Sequence, residues 1–171
     1  MSVALFDEIL LPTVIVPPVG LRLRALRNDD YGYLELLEQL TSVGHVSKND
    51  FEQRFASMKK AASYYVVILE DIQSAKIVGA ATLVIEFKFI HGAGSRGRVE
   101  DVVVDESMRG KKLGVLLNNV LVDMAKTIGV YKLSLECKTE LKPFYSKFGY
   151  AENLHFMVQR FDETPAVVQL D

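Results

Sequence analysis

One cysteine in 171 residues, Cys137, excludes an intrachain disulfide and any multi-cysteine metal site, and it fits a reducing compartment. The three histidines, His45, His91 and His155, share no metal-ligand spacing, so no metal is expected. No apolar run approaches membrane-spanning length. The most apolar early stretch, Ile9–Val19, is broken by Pro12, Pro17 and Pro18, which argues against both a span and a secretory leader. Cationic excess is missing too: a net charge of −2 removes the basic face that nucleic acid requires. Repeats and low-complexity segments are absent. What remains is an ordinary globular balance, 49% hydrophobic and 25% charged. Its length suits one domain that buries roughly 70% of its unfolded surface. A cytoplasmic protein is the expectation.

Residues 1–20 form an apolar, proline-rich arm that should lie against the protein or a partner subunit. Alternation then predicts a strand at Leu21–Ala25, and Asn28, Asp29 or Asp30 can cap a helix reaching about Leu40. Ser47 and Asp50 resemble a capping box before a helix that buries Phe51, Phe55 and Met58. Strands are predicted at Tyr64–Glu70, Ile77–Phe89, Arg98–Val104 and Lys132–Cys137, with a flexible loop at His91–Gly97. A short helix near Pro143–Lys147 ends at Gly149, a final strand spans Asn153–Phe161, and an acidic tail covers 162–171. This order predicts an α/β (α+β) domain over 21–161 with a mixed, mainly antiparallel sheet.

Residues 99–114 are the most informative. An apolar strand ends in a basic turn, Arg109-Gly110-Lys111-Lys112-Leu113-Gly114, that opens a strongly periodic helix. Leu113, Leu116, Leu117, Val120, Leu121, Met124, Ala125 and Ile128 fall on one helical face. Cations at a helix N-terminus oppose the macrodipole, and a bound anion would compensate them. Free N–H groups at such a terminus suit phosphate or pyrophosphate. The turn is neither a P-loop nor a dinucleotide fingerprint.

Other candidates admit two readings each. Glu100 and Asp101 interrupt the apolar strand, and strict alternation would send them to opposite faces; one is a rim carboxylate, the other able to bind an amine or accept a proton. His91 is a surface loop residue or converges with Lys88 on an anion if the strand bends. Cys137 reads as a buried structural cysteine, since no base is identifiable beside it. Phe144 and Phe148 share a helix face, whereas Tyr145 either joins that core or presents its hydroxyl to a ligand.

Arg109-Gly110-x-x-x-Gly114, followed by Phe144-Tyr145-x-x-x-Gly149-Tyr150, resembles the GCN5-related N-acetyltransferase (GNAT) superfamily. The superfamily's loop, Gln/Arg-x-x-Gly-x-Gly/Ala, has a glycine where this chain has Lys112, and Leu141 replaces a frequent asparagine. The resemblance is sharpest with the superfamily's amino-sugar-phosphate branch, through Leu40-Thr41-Ser42-Val43-Gly44, Glu86-Phe87-Lys88-Phe89-Ile90-His91, Gly97–Val104, Tyr131–Cys137 and Arg160. It implies a GNAT fold with splayed central strands. The implied activity is acetyl transfer from acetyl-CoA to the 2-amino group of D-glucosamine 6-phosphate, on the way to UDP-N-acetylglucosamine, by a homodimer with shared active sites. By the same resemblance Val102, Val103 and Val104 meet the pantetheine, and residues 109–114 (Arg109, Gly110, Lys111, Lys112, Leu113, Gly114) meet the pyrophosphate. Thr41, Lys88, Phe89, Ile90, His91, Glu100, Asp101, Val102, Val130, Tyr131, Glu136 and Arg160 line the sugar phosphate. Glu100 and Asp101, including the Asp101 carbonyl, would position and deprotonate the amine, and Tyr145, also a cofactor contact, would stabilise the thiolate. The alternatives are a GNAT enzyme for another amine, and an acyl-CoA-binding module without turnover.

Overall fold

A computed structural model describes residues 1–161; the tail expected at 162–171 lies outside them. Two compact units are present, Met1–Leu135 and a second beginning at Glu136. Among the described residues no helix is long and apolar enough to cross a membrane.

The first unit is built on a five-stranded sheet in sequential order: β1 (Leu21–Ala25), β2 (Tyr64–Asp71), β3 (Ile77–Phe87), β4 (Ser95–Val104) and β5 (Lys132–Ser134). The first three pairings are antiparallel, and β4 runs parallel to β5. Helices α1 (Gly32–Glu38), α2 (Lys48–Ala61) and α4 (Leu113–Ile128) flank the sheet, and α3 (Ile90–Ala93) is a short turn between β3 and β4. Val66–Leu69 are buried on both sides, as a doubly covered strand should be. The apolar stripe of α4 buries Leu113, Leu117, Val120, Leu121, Met124 and Ala125. The capping box opens α2: Ser47 Oγ accepts the Asp50 N–H, and the Asp50 carboxylate accepts the Ser47 N–H at 3.1 Å.

Several sequence expectations need correction. The helix predicted from Asn28–Asp30 starts only at Gly32, because none of the three side chains is left to cap it. Asn28 accepts the Val3 N–H, Asp29 accepts the Ser2 hydroxyl, and Asp30 is held by Arg24 and the Arg27 N–H. The arm packs on its own chain only in part: Leu5 and Phe6 are buried, and the Leu5 N–H donates to the Leu26 carbonyl at 2.8 Å, whereas Ile9, Val14, Val16 and Val19 are exposed. The loop expected at His91–Gly97 is ordered into α3 and the start of β4. Strand β5 ends at Ser134, so Cys137 lies beyond the sheet and is exposed instead of buried.

In the second unit a tight turn, Thr139–Leu141, leads into α5 (Lys142–Ser146). Phe144 packs edge-on against Tyr145 and Phe148, and Tyr145 against Tyr150. The strand expected at Asn153–Phe161 does not form. A strand needs a ladder partner, none is supplied among the described residues, and Leu154, Phe156, Met157, Val158 and Phe161 stay exposed.

Candidate active site

Strand β4 carries the acids and departs from regular pairing where they sit. The register against β3 shifts between Ala80 and Thr82, so Asp101 and Val102 together face Ala81. Asp101 takes φ +51°, a left-handed conformation uncommon outside glycine, asparagine and aspartate. This is a β-bulge, which re-aims side chains. Strict alternation is therefore lost at Asp101. Burial first, and then Glu100, raise the Asp101 carboxyl above its ordinary pKa. Behind it the Tyr33 phenol is buried and held well above its ordinary value, by burial and then by the Asp101 charge. Glu100 accepts from Arg98 Nε at 3.0 Å.

Strand β5 pairs with β4 only from Arg96↔Lys132 to Arg98↔Ser134. Beyond Arg98 no strand among the described residues borders β4 on the side away from β3, so Val102, Val103 and Val104 lie along an edge open on that side. The closure just before it is tight. A Cβ built on Gly97 would meet Leu133 Cδ2 at 2.5 Å and Leu83 Cδ1 at 3.0 Å, so only glycine lets β5 approach there.

The segment Lys88–His91 follows β3. Glu86 draws its charges together: Lys88 Nζ at 2.7 Å and Arg96 Nε at 2.9 Å. Arg96 first, then Lys88, push the Glu86 carboxyl down to about 2. Lys88 thus arrives ion-paired and only partly exposed, while Phe89 and Ile90 are exposed. His91, Gly92 and Ala93 all have positive φ, closing a left-handed turn by the Ala93 N–H to Phe89 and the Gly94 N–H to Ile90. His91 stacks on Tyr131, and the Tyr131 N–H donates to Ser95 at 2.9 Å. Lys88–His91 and Tyr131 are therefore brought together, with Val130 3.7 Å from the Gly97 Cβ position. Thr41 is exposed just past α1.

The turn before α4 leaves Arg109, Gly110, Lys111 and Lys112 exposed. Gly110 (φ +79°) and Lys112 (φ +59°) are left-handed, and no side chain caps the helix. The first intrahelical bond is Leu116 N–H to the Lys112 carbonyl at 3.1 Å, so the N–H groups of Leu113, Gly114 and Val115 lie ahead of it. Lys112 adopts a backbone conformation that a glycine would favour.

In the second unit Glu136 and Arg160 are exposed, and Tyr145 is half-buried. Burial first, then Cys137, raise the Tyr145 phenol, and burial pushes Tyr150 up to about 12. Both phenols keep their protons at neutral pH.

Sequence reasoning missed a set of residues bound to the connection that leads into the basic turn. Asp105 is 2% exposed, and its carboxylate accepts from Lys76 Nζ at 2.8 Å, Ser107 N–H at 3.0 Å and Gln39 Nε2 at 3.2 Å. Lys76 first, then Ser107, hold this acid well below the carboxylate range. Only the local Asp105-x-Ser107 spacing could have hinted at it; Gln39 and Lys76 are too far away in sequence.

Residues 23–150 match the Acetyltransferase (GNAT) family. The chain belongs to that family. It is 45% identical over 152 residues to the probable glucosamine 6-phosphate N-acetyltransferase of Drosophila melanogaster, covering 86% of this chain and 69% of the relative. With the glucosamine 6-phosphate N-acetyltransferase of Arabidopsis thaliana it shares 39% identity over 132 residues, 77% of this chain and 89% of the relative. The crystal structure of an Arabidopsis thaliana glucosamine-6-phosphate N-acetyltransferase superposes with a TM-score of 0.79 at 36% identity, covering 83% of this chain and 99% of that one. The open β4 edge and the uncapped α4 terminus thus belong to a GNAT acetyltransferase.

Proposed function

We propose that this GNAT enzyme transfers acetyl from acetyl-CoA to the 2-amino group of D-glucosamine 6-phosphate, a step towards UDP-N-acetylglucosamine. The carrying observation is the likeness, over most of the chain, to relatives named for that reaction. The residues present fit the donor. Uncapped N–H groups at α4, the exposed cations Arg109, Lys111 and Lys112, and a β4 edge open from Val99 onward suit a pyrophosphate followed by an amide-bearing arm. Acetyl-CoA, when bound, supplies the thioester carbonyl.

In the reaction the C–S bond breaks as the C–N bond forms. The attacking amine gives up a proton, and the departing sulfur takes one. We assign proton removal to the Glu100–Asp101 pair, including the Asp101 carbonyl, whose bulge turns the backbone out of the regular ladder. Asp101's raised proton affinity suits a base, and Arg98 keeps the Glu100 carboxylate oriented. Tyr145, protonated at neutral pH, is assigned to stabilise the departing thiolate by donating a hydrogen bond to it, the sulfur's proton coming from solvent. No covalent acetyl-enzyme is required, so Cys137 has no part. Arg160 and Lys88 are the assigned phosphate partners, with Thr41, Phe89, Ile90, His91, Val130, Tyr131 and Glu136 completing the sugar site.

The assembly we propose is a two-fold homodimer with shared active sites. Its support is apolar: Leu154, Phe156, Met157, Val158 and Phe161 lie exposed in a stretch with strand-like sequence and no strand partner. A second copy would cover them. Cytoplasmic residence and the lack of a nucleic-acid partner accord with one cysteine and a net charge of −2. The test is the product: mass spectrometry after incubation with acetyl-CoA and glucosamine 6-phosphate should find the N-acetylated sugar phosphate with matching free CoA. Acetate and CoA with no acetylated sugar would reject it.

A further inference from the structure

Gln39 is an exposed side chain used at both ends. Its Oε1 accepts the Glu106 N–H at 2.9 Å, and its Nε2 donates to Asp105 Oδ2 at 3.2 Å. These two residues begin the connection from β4 to the basic turn. Asp105 anchors that connection from within. Its N–H donates to the Val78 carbonyl at 2.9 Å, its carbonyl accepts the Met108 N–H at 2.9 Å, and its carboxylate also takes the Ser107 hydroxyl at 2.5 Å. Lys76, just before β3, closes the set at 2.8 Å. The end of α1, the β2–β3 connection and the end of β4 are thus tied to one buried carboxylate.

Holding a glutamine in one rotamer costs side-chain entropy comparable to the net gain from its hydrogen bonds. The fold gains little from Gln39. Its two bonds bear instead on the path of residues 105–108, which leads into Arg109–Lys112 and the first N–H groups of α4.

We propose that Gln39 and Asp105 are positioning residues of the acetyl-CoA site, holding the turn in its anion-ready form without touching the ligand. This rests on the reading that residues 109–114 receive the pyrophosphate. Because Gln39 follows α1 directly, the clamp also fixes the cofactor turn to the segment leading into Thr41.

Calorimetry with CoA tests this on Gln39→Leu, Asp105→Asn and their double variant, beside Arg109→Glu as a direct-contact reference. Gln39→Leu should weaken CoA about fivefold while leaving the melting temperature and the glucosamine 6-phosphate KM at saturating acetyl-CoA in place. The double variant should lose less than the product of the single losses, as expected for two members of one clamp. If Asp105→Asn does not fold, the exposed Gln39 decides alone. CoA affinity lost in Arg109→Glu but kept in Gln39→Leu overturns the positioning role. Affinity kept in Arg109→Glu as well overturns the reading of the turn itself, and the inference with it.

Discussion

The imidazole of His91 lies over the ring of Tyr131, centroids 4.2 Å apart. This contact fastens a left-handed turn, which non-glycine residues adopt at a cost of about 1–2 kcal/mol each, to the residue that leads into β5. Tyr131→Ala removes an aromatic pair worth about 0.5–1.5 kcal/mol. Initial-rate kinetics should show the glucosamine 6-phosphate KM rising several-fold while the acetyl-CoA KM is kept. An equal rise in both would make the stack a general support of the fold.

Charge reversal at Arg109 or Lys111 should weaken CoA by about 1.5–3 kcal/mol, the usual size of a charged hydrogen bond, with less effect on the sugar. Gly114→Val should act in the same direction by obstructing approach to the helix start. Calorimetry on each variant decides. CoA affinity equal to wild type in all of them removes the turn from the site.

Lys112 offers a stability test. At φ +59° its backbone is in the left-handed region, which a side chain disfavours, so Lys112→Gly should gain up to about 1 kcal/mol in denaturant unfolding, offset in part by the freedom glycine adds to the unfolded chain. Lys112→Val, β-branched in the same conformation, should lose stability. If glycine destabilises the protein, the left-handed geometry is not the residue's main constraint.

The residue patterns that decided these elements were local ones. The stripe from Leu113 to Ile128 marked α4 because its period is contained within one helix, and Ser47–Asp50 marked α2 through a contact three residues long. Asn118, fully buried on α4 among the apolar residues, was invisible to that periodicity. The start of α1 was misplaced because Asn28, Asp29 and Asp30 spend their side chains on Val3, Ser2, Arg24 and Arg27, contacts no window of sequence contains. The bulge at Asp101 escaped for a related reason: it exists only relative to β3. Of the candidate site, the basic turn and the paired acids were legible, as was the Lys88–His91 string. Their coupling to Tyr131, to Arg98 and to the Gln39–Asp105–Lys76 clamp depended on tertiary contacts.

Two carboxylates give pH dependences of opposite sense. Glu86 is held below its ordinary pKa, so its ion pairs stabilise the fold while it is ionised, and that contribution is lost as the pH falls towards about 2. Glu86→Gln should flatten the acid side of the stability profile. Asp101 is raised, so a base at this position is protonated at a higher pH than an ordinary carboxylate. The acid limb of kcat/KM should lie correspondingly high and disappear in Asp101→Asn, a substitution suited to positive φ. A limb that persists in Asp101→Asn and moves in Glu100→Gln would transfer the role to Glu100.

Tyr145→Phe should keep sugar affinity and lower turnover, as expected when an interaction forms mainly in the transition state. Arg160→Ala should cost about 1.5–3 kcal/mol towards glucosamine 6-phosphate and far less towards glucosamine. Equal losses on both sugars would place the phosphate contact elsewhere. Sedimentation should give twice the 19.2 kDa of one chain; a fully active monomer would exclude shared sites.

The most direct measurement is the rate of CoA release at saturating acetyl-CoA with glucosamine 6-phosphate, glucosamine, a polyamine and a peptide N-terminus as competing acceptors. The account predicts the highest kcat/KM for glucosamine 6-phosphate, at least about tenfold above glucosamine, since a phosphate held by fixed cations is worth more than 1.4 kcal/mol. A higher kcat/KM for any other amine, or no release with the sugar phosphate, would contradict it.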